Sequence, residues 1–326
     1  MKTLKEQIKD HDIGRLYLFF GEERYLVKLN LERMRRALME PDDEMMNLDM
    51  QTSPTDLDQI RTSIETLPFM AEKRLVILQD TKVFSSKPPA ALEGMDRVVA
   101  DIPEETTVIF VETDVDKRSR MYKAVQKYGQ AEEFDRLEEG ALSSWIRQEF
   151  KHRGIRIGSG EIAWFLSLTG VDMAHIEGEI HKLASYVGER KEVTREDMNA
   201  IITPSIETTI FKLVDALADG HPADAYRIYK DLLQQGEAVY RILYMIMRQF
   251  RLLYRTSVSE QRDPYSLSKE LGVPSFAAQN YQRQAARFGQ ERLKQILYKL
   301  LETDEAYKTG ALSEQEAADL IILKYV

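Results

Sequence analysis

The segment LYLFFGEERYLVK, residues 16–28, joins an uninterrupted apolar run to a glycine and then to a helix-forming stretch. An apolar run of this kind is typical of a strand that is buried on both faces of a parallel sheet. RLVILQ at 74–79 and TVIFVE at 107–112 have the same character. Further strands are predicted at Asn47–Met50 and Gln130–Phe134. The first part of the chain is therefore predicted to be an α/β domain.

Amphipathic stretches separate these strand candidates and predict helices at 24–39, 54–66, 88–101 and 117–128. From Gly140 onward apolar residues recur at spacings of three and four, which predicts an all-helical remainder. Thr203-Pro204-Ser205 interrupts that pattern. We therefore predict three domains: an α/β domain at residues 1–140, a small helical domain at 141–210 and a larger helical bundle at 211–326.

Composition excludes several classes of protein. The 326 residues include no cysteine, which excludes disulfides, thiolate nucleophiles and cysteine-ligated metal sites. The net charge of −9 argues against a protein whose whole surface binds nucleic acid. The charged N-terminal stretch is unlike a signal peptide, and no apolar run approaches the roughly 18 to 20 residues that span a bilayer. We expect a cytoplasmic protein with no membrane partner.

The turn at Gly21 is where a nucleotide-binding α/β protein would have its phosphate loop. The positions that such a loop fills with glycine, lysine and a hydroxyl residue hold Leu26, Val27 and Lys28. Two glutamates directly after the glycine would also repel a phosphate. Asp114 after TVIFVE resembles the acidic strand end of an ATPase, but we interpret it as a solvated turn. No nucleotide and no other cofactor is predicted.

The run HIEGEIH at 175–181 superficially resembles a metal site. On a helix, however, His175 and His181 project about 120° apart and cannot chelate one ion. No GxSxG elbow or HExxH helix is present either. The sequence therefore predicts neither a metal site nor a catalytic residue.

The segment LPFM at 67–70 is the most unusual feature of the first domain, because it places three large apolar side chains in the connection from a helix to a buried strand. Pro68 ends the helix and limits the freedom of the backbone. If Leu67, Phe69 and Met70 are exposed, they would serve as anchors for a pocket on a partner. A core loop is the alternative, and composition does not separate the two.

Four arginines share one side of the helix predicted at 238–256. They lie within an arc of about 80° and are Arg241, Arg248, Arg251 and Arg255. One interpretation is a solvated face that pairs with acidic neighbours, and the other is contact with a partner or with a nucleic-acid backbone. The sequence leaves both open.

Six segments resemble, in the same order along the chain, the bacterial DNA polymerase III delta subunit family. They are YLFFGEERYLVK at 17–28, LPFMAEKRLVIL at 67–78, TGVDMAHIEGEIHKLASYVG at 169–188, IFKLVDALADG at 210–220, RQFRLLYR at 248–255 and ETDEAYKTG at 302–310. The resemblance implies an AAA+-like N-terminal α/β domain with a degenerate nucleotide site, a helical lid domain and a C-terminal helical collar that joins a five-subunit ring.

The resemblance also implies a function. Leu67, Pro68, Phe69 and Met70 would form the hydrophobic wedge, with Phe69 and Met70 at its tip, that binds and opens the sliding clamp (the beta subunit) without ATP hydrolysis by this chain. The other implied partners are the tau/gamma and delta prime subunits of the clamp loader and primer–template DNA. The chain would belong to the DNA polymerase holoenzyme without a catalytic site of its own.

Three alternatives belong to other classes. A hydrolysing AAA+ motor subunit needs an intact phosphate loop, which this chain lacks. The sibling delta prime subunit is expected to carry a zinc-binding cysteine group and an SRC motif, and this sequence has neither. A DNA-binding adaptor is supported by the arginines at 241–255 alone.

Overall fold

The apolar runs of the first 140 residues form one parallel sheet in the computed structural model, which describes residues 3–324. Residues 1–2 and 325–326, at the ends of the first and last predicted domains, lie outside the described residues. The chain divides into two compact units, Met1–Leu137 and Glu138–Val326. The further division of the helical part at residue 210 stays a prediction.

Five parallel strands form the sheet of the first unit, in the spatial order β2-β3-β4-β1-β5. They are β1 Leu16–Phe20, β2 Leu48–Thr52, β3 Arg74–Gln79, β4 Thr106–Glu112 and β5 Gln130–Glu133. The three continuous apolar runs occupy the centre, where both faces of a strand are covered, and the two more polar strands form the edges. The predicted α/β fold is confirmed, although β2 begins one residue later than predicted.

Helices cover both faces of this sheet. They are α1 Leu4–Asp10, α2 Arg24–Leu38, α3 Glu44–Asn47, α4 Leu57–Glu65, α5 Met95–Val98 and α6 Arg120–Tyr128. Side chains of β1 alternate between two cores: Leu16, Leu18 and Phe20 pack with α4 and α6, whereas Tyr17 and Phe19 pack with α1 and α2. This alternation follows from the period of two in a strand.

The prediction of a single helix at 88–101 is wrong. The structure has three short pieces there instead, which are a 3₁₀ turn at Ala90–Leu92, α5 and a second 3₁₀ turn at Val99–Asp101. Pro89 precedes the first piece, and Gly94 has a left-handed backbone with φ +94°. A residue in that conformation cannot continue a right-handed helix, so the segment is broken.

The second unit is helical throughout its described residues, as predicted, apart from one isolated bridge between Arg156 and Glu192. Its helices are α7 Glu139–His152, α8 Ser159–Thr169, α9 Met173–Val187, α10 Arg195–Ile201, α11 Ile206–Ala218, α12 Pro222–Gln234, α13 Val239–Val258, α14 Pro264–Leu271, α15 Ser275–Phe288, α16 Gln290–Lys308 and α17 Glu314–Asp319, followed by a π turn at Leu320–Lys324. Within residues 3–324, no helix combines the length and apolar character that crossing a membrane requires.

Helix α13 is at the centre of the larger helical core. Ile242, Ile246, Phe250 and Leu253 are buried along one side, as their three- and four-residue spacing predicts. Gln249 lies among them and donates from Nε2 to Oε1 of Gln284 at 2.8 Å. This buried bond satisfies the amides that the core would otherwise leave without partners.

Candidate functional site

The loop between α4 and β3 exposes the apolar side chains that the sequence singled out. Leu67 is 68% exposed, Phe69 57% and Met70 89%, while Pro68 is half-buried. Three large apolar side chains this open to solvent are unusual in so short a segment. The core-loop alternative therefore does not hold, and the structure places the group at the surface.

The backbone of this loop is held by one buried side chain, that of Asn47 at the end of α3. Phe69 N donates to Asn47 Oδ1 at 2.6 Å, and Asn47 Nδ2 donates to the Phe69 carbonyl at 3.0 Å. Nδ2 also donates to the Asp43 carbonyl at 3.2 Å. Asn47 is fully buried, although Phe69 lies 22 residues further along the chain. The loop thus has a defined conformation while its side chains remain exposed.

Arg74, the first residue of β3, anchors the other end of the loop. Its Nε donates to the Ser63 carbonyl at 2.9 Å and its Nη1 to the Met46 carbonyl at 3.2 Å. Nη2 lies 4.0 Å from the Asp49 carboxylate, which also accepts a short bond from the Ser63 hydroxyl. One guanidinium therefore joins the end of α4, the end of α3 and β2.

Further exposed apolar side chains lie next to the loop, and the sequence reasoning missed them. Met45 is 89% and Met46 55% exposed on α3. They precede Asn47, which bonds to Phe69, so α3 is joined to the loop directly beside these two methionines. We call this group, Met45, Met46, Leu67, Phe69 and Met70, the exposed apolar group. The sequence signal that could have indicated these exposed side chains is the pair Met45-Met46 directly before the polar Asn47.

The turn at Gly21 lies at the opposite end of the sheet and bonds to the segment after β5. Glu23 N donates to the Phe134 carbonyl at 2.8 Å, and Phe134 N donates to the Phe20 carbonyl at 2.7 Å. A Cβ on Gly21, which has φ +126°, would collide with the backbone oxygen of Phe134. The segment after β5 therefore packs directly against the backbone of Gly21 and Glu23.

The acidic end of β4 is also occupied by bonds within the protein. Glu112 is buried and accepts from Thr81 N at 2.8 Å, from Thr81 Oγ1 at 2.5 Å and from Lys82 N at 3.4 Å. Burial raises the pKa of the Glu112 carboxyl above its usual range, while the bonds from Thr81 and Lys82 oppose that shift. Asp114 is exposed, as expected. The Glu112 carboxyl group at the end of β4 therefore holds the turn that follows β3 through hydrogen bonds.

The four arginines of α13 lie together on that helix, and three have contacts within the second unit. Arg241 pairs with Glu237 at 2.9 Å, Arg255 donates to the Glu270 carbonyl at 2.6 Å, and Arg251 lies 5.9 Å from the centre of the Tyr244 ring. Arg248 is half-buried. Exposed Tyr240 and Tyr244 lie on the same side of the helix.

The polar residues of α9 are used in local bonding. Glu179 is buried and pairs with Lys182 Nζ at 2.7 Å, and the ring nitrogen Nε2 of His175 lies 3.1 Å from the Thr203 carbonyl. Among the residues that the structure describes, no three His, Asp or Glu side chains are grouped to hold a metal ion.

Two family descriptions match the chain. Residues 17–134 match "DNA polymerase III, delta subunit", and residues 207–325 match "DNA polymerase III delta subunit, C-terminal domain". The two matches together span most of the sequence, including the loop at 67–70 in the first and the arginines at 241–255 in the second.

Individual relatives agree with these matches. The chain is 26% identical to "DNA polymerase III subunit delta" of Bacillus subtilis (strain 168), over 98% of this chain and 95% of the relative. It is 20% identical to "Probable DNA polymerase III subunit delta" of Aquifex aeolicus (strain VF5), over 89% and 85%. Among solved structures, the Bacillus subtilis DNA clamp loader delta protein has the same fold, with a TM-score of 0.69, 24% identity and coverage of 99% and 98% of the two chains.

We expect Glu112→Gln to remove one pH-dependent contribution to stability. Because the folded pKa of Glu112 is raised, its contribution is fully present below the usual value near 4.5 and is lost as pH rises through the folded pKa. Glutamine keeps an acceptor for Thr81 and cannot ionise. Urea unfolding of the full chain across that window should therefore show a smaller loss of stability with rising pH in the variant.

Glu93→Gln is the matched control, since Glu93 is exposed in the same unit. It should follow the parent protein at every pH. Parallel pH profiles for Glu112→Gln and the parent would show that the buried carboxyl does not carry this dependence.

Proposed function

The chain belongs to the DNA polymerase III delta subunit family, and on that premise we propose that it is a clamp-loader subunit that binds and opens a sliding clamp without hydrolysing ATP. The binding element in this proposal is the loop of Leu67, Pro68, Phe69 and Met70. The observation that supports it is the exposure of three large apolar side chains on a loop whose backbone is fixed.

Exposed side chains on an ordered loop favour tight docking. Burying Phe69 or Met70 in a partner's pocket contributes about 1.5 to 3 kcal/mol each, and anchors of this kind often dominate the affinity of an interface. Binding also costs the freedom of whatever must become ordered. The bonds from Asn47 to Phe69 remove part of that cost in advance.

Opening a closed ring without covalent chemistry requires binding energy that is larger for the open or strained ring than for the closed one. The loop is suited to this role because it is joined directly to α4 on one side and to the central strand β3 on the other. In the proposal, α4 presses on the clamp near a subunit junction once Phe69 and Met70 have docked.

The collar predicted at residues 211–326 is proposed to be the part that assembles with the tau/gamma and delta prime subunits. Large apolar side chains on its surface, Tyr298 and Leu301 on α16, support a role in protein contacts. Primer–template DNA is the remaining proposed partner, and the proposal places the protein in the cytoplasm, where such a loader works.

The double variant Phe69→Ala with Met70→Ala should weaken clamp binding by about a hundredfold or more, because both anchors are removed. Both side chains are exposed, so the fold and loader assembly should remain intact. The measurement is a pull-down of purified sliding clamp by the full chain without nucleotide, followed by titration calorimetry.

Tyr186→Ala is the matched control, since Tyr186 is a large and similarly exposed side chain in the second unit. It should bind clamp normally. A folded double variant with near-normal clamp affinity would place the clamp site elsewhere on the chain.

Calorimetric titration of the chain with Mg-ATP should show no saturable heat. The physical reason is that the Phe134 backbone lies against Gly21, and that Leu26, Val27 and Lys28 occupy the positions of the phosphate-binding side chains. An intact motor subunit of a clamp loader provides the positive control. Micromolar binding that disappears on altering the Gly21 turn would contradict the proposal.

A second surface is proposed for DNA. On α13, arginines alternate with exposed Tyr240 and Tyr244, a combination that suits a nucleic-acid backbone and its bases. We expect Arg248→Ala with Arg251→Ala to reduce the salt dependence of DNA binding by the assembled loader. The slope should fall by about 0.9 for each phosphate that the variant no longer neutralises.

Arg227→Ala serves as the control, because Arg227 is an exposed arginine on α12 that pairs with Asp224. It should leave the slope unchanged. An unaltered slope in the double variant, together with normal assembly, would assign the arginines of α13 to a solvated face.

A further inference from the structure

We propose that Asn47 is a positioning residue for partner docking, whose side chain holds the Phe69 backbone so that the Phe69 ring projects before the clamp arrives. This inference rests on the function proposed above, since it concerns the same loop. It adds a residue that never touches the partner in the proposal and acts only through Phe69.

The Asn47 side chain contacts the Phe69 backbone at two points. Asn47 accepts from the N–H of Phe69 and donates to its carbonyl, so one side chain bonds both backbone groups of a single residue. A paired strand holds a residue in the same way. The second amide hydrogen bonds to the Asp43 carbonyl within the turn at the start of α3, which fixes the Asn47 side chain itself.

The backbone around Phe69 depends on Asn47 for its hydrogen bonds. Within residues 3–324, the backbone between Leu67 and Glu72 makes hydrogen bonds only with Asn47. Met70 also has φ +52°, a left-handed conformation that a methionine rarely adopts. A strained backbone persists only where its surroundings hold it, and Asn47 holds the residue that directly precedes Met70.

A positioning role of Asn47 can be distinguished from a general structural role. A buried amide that merely stabilised the fold would contribute equally whatever side chain residue 69 carried. A positioning residue contributes to binding only while the side chain that it positions is present. The two roles therefore differ in how Asn47 and Phe69 variants combine.

The experiment is a double-mutant cycle on the full chain, with affinity for purified sliding clamp measured by titration calorimetry. Asn47→Ala should weaken clamp binding by about tenfold, because Phe69 must then become ordered on binding. In a Phe69→Ala background the same change should weaken binding by less than about threefold. An equal loss of affinity in both backgrounds overturns the proposal.

Thr107→Val is the matched control, because it removes another bond from a buried side chain to the backbone, from Thr107 Oγ1 to the Gly14 carbonyl, in the same unit. It should lower the melting temperature and leave clamp affinity unchanged. If Asn47→Ala does not fold, hydrogen exchange on the parent protein decides. The Phe69 amide should exchange slowly despite its exposed side chain, and exchange at the rate of an unstructured peptide overturns the proposal.

The single variants separate the docking site from the positioning role. If Phe69→Ala leaves clamp binding unchanged, the proposed docking site fails and the role of Asn47 falls with it. If Phe69→Ala weakens binding while Asn47→Ala does not, the docking site stands and only the positioning role is overturned.

Discussion

The pairing of β3 with β2 and β4 is the constraint on which the rest of the first unit depends. Because all five strands are parallel, every helix-to-strand connection enters the sheet at one end and every strand-to-helix connection leaves at the other. The loop before β3 therefore emerges at the amino ends of the strands. The turn at Gly21, the end of β4 and the segment after β5 all meet at the carboxyl ends. Polar contacts within the protein dominate the carboxyl ends, whereas exposed apolar side chains lie at the amino ends.

The carboxyl ends are where open α/β sheets usually bind ligands, and here polar groups at that end bond to one another. Arg24 Nη2 donates to the Thr113 hydroxyl at 2.7 Å and lies 3.9 Å from the Asp80 carboxylate. Glu112 holds Thr81, and the Phe134 carbonyl takes the amide of Glu23. These contacts link the carboxyl ends of β1, β3, β4 and β5.

The sequence predicted those features that depend on local pattern. Continuous apolar runs located the central strands, whereas the degenerate phosphate loop that the residues after Gly21 indicate stays a prediction. Features that depend on contacts between residues far apart in the sequence were predicted less well. Asn47 was assigned to a strand, yet it ends α3, and its role depends on Phe69, whose position relative to it no local pattern specifies. The broken helix at 88–101 depends on the left-handed conformation of Gly94, which amphipathic spacing does not reveal.

The amino ends carry the exposed apolar group, and its attachment matters as much as its exposure. Under the proposed function the loop must transmit force to the ring, and a loop that yields would absorb the binding energy in its own deformation. Asn47 restrains the tip of this loop, while Arg74 ties its base to α3, α4 and β2. Since Arg74 begins a strand that is paired on both sides, the base of the loop continues directly into the centre of the sheet. That mechanical continuity favours a docking element that strains its partner over one that merely adheres to it.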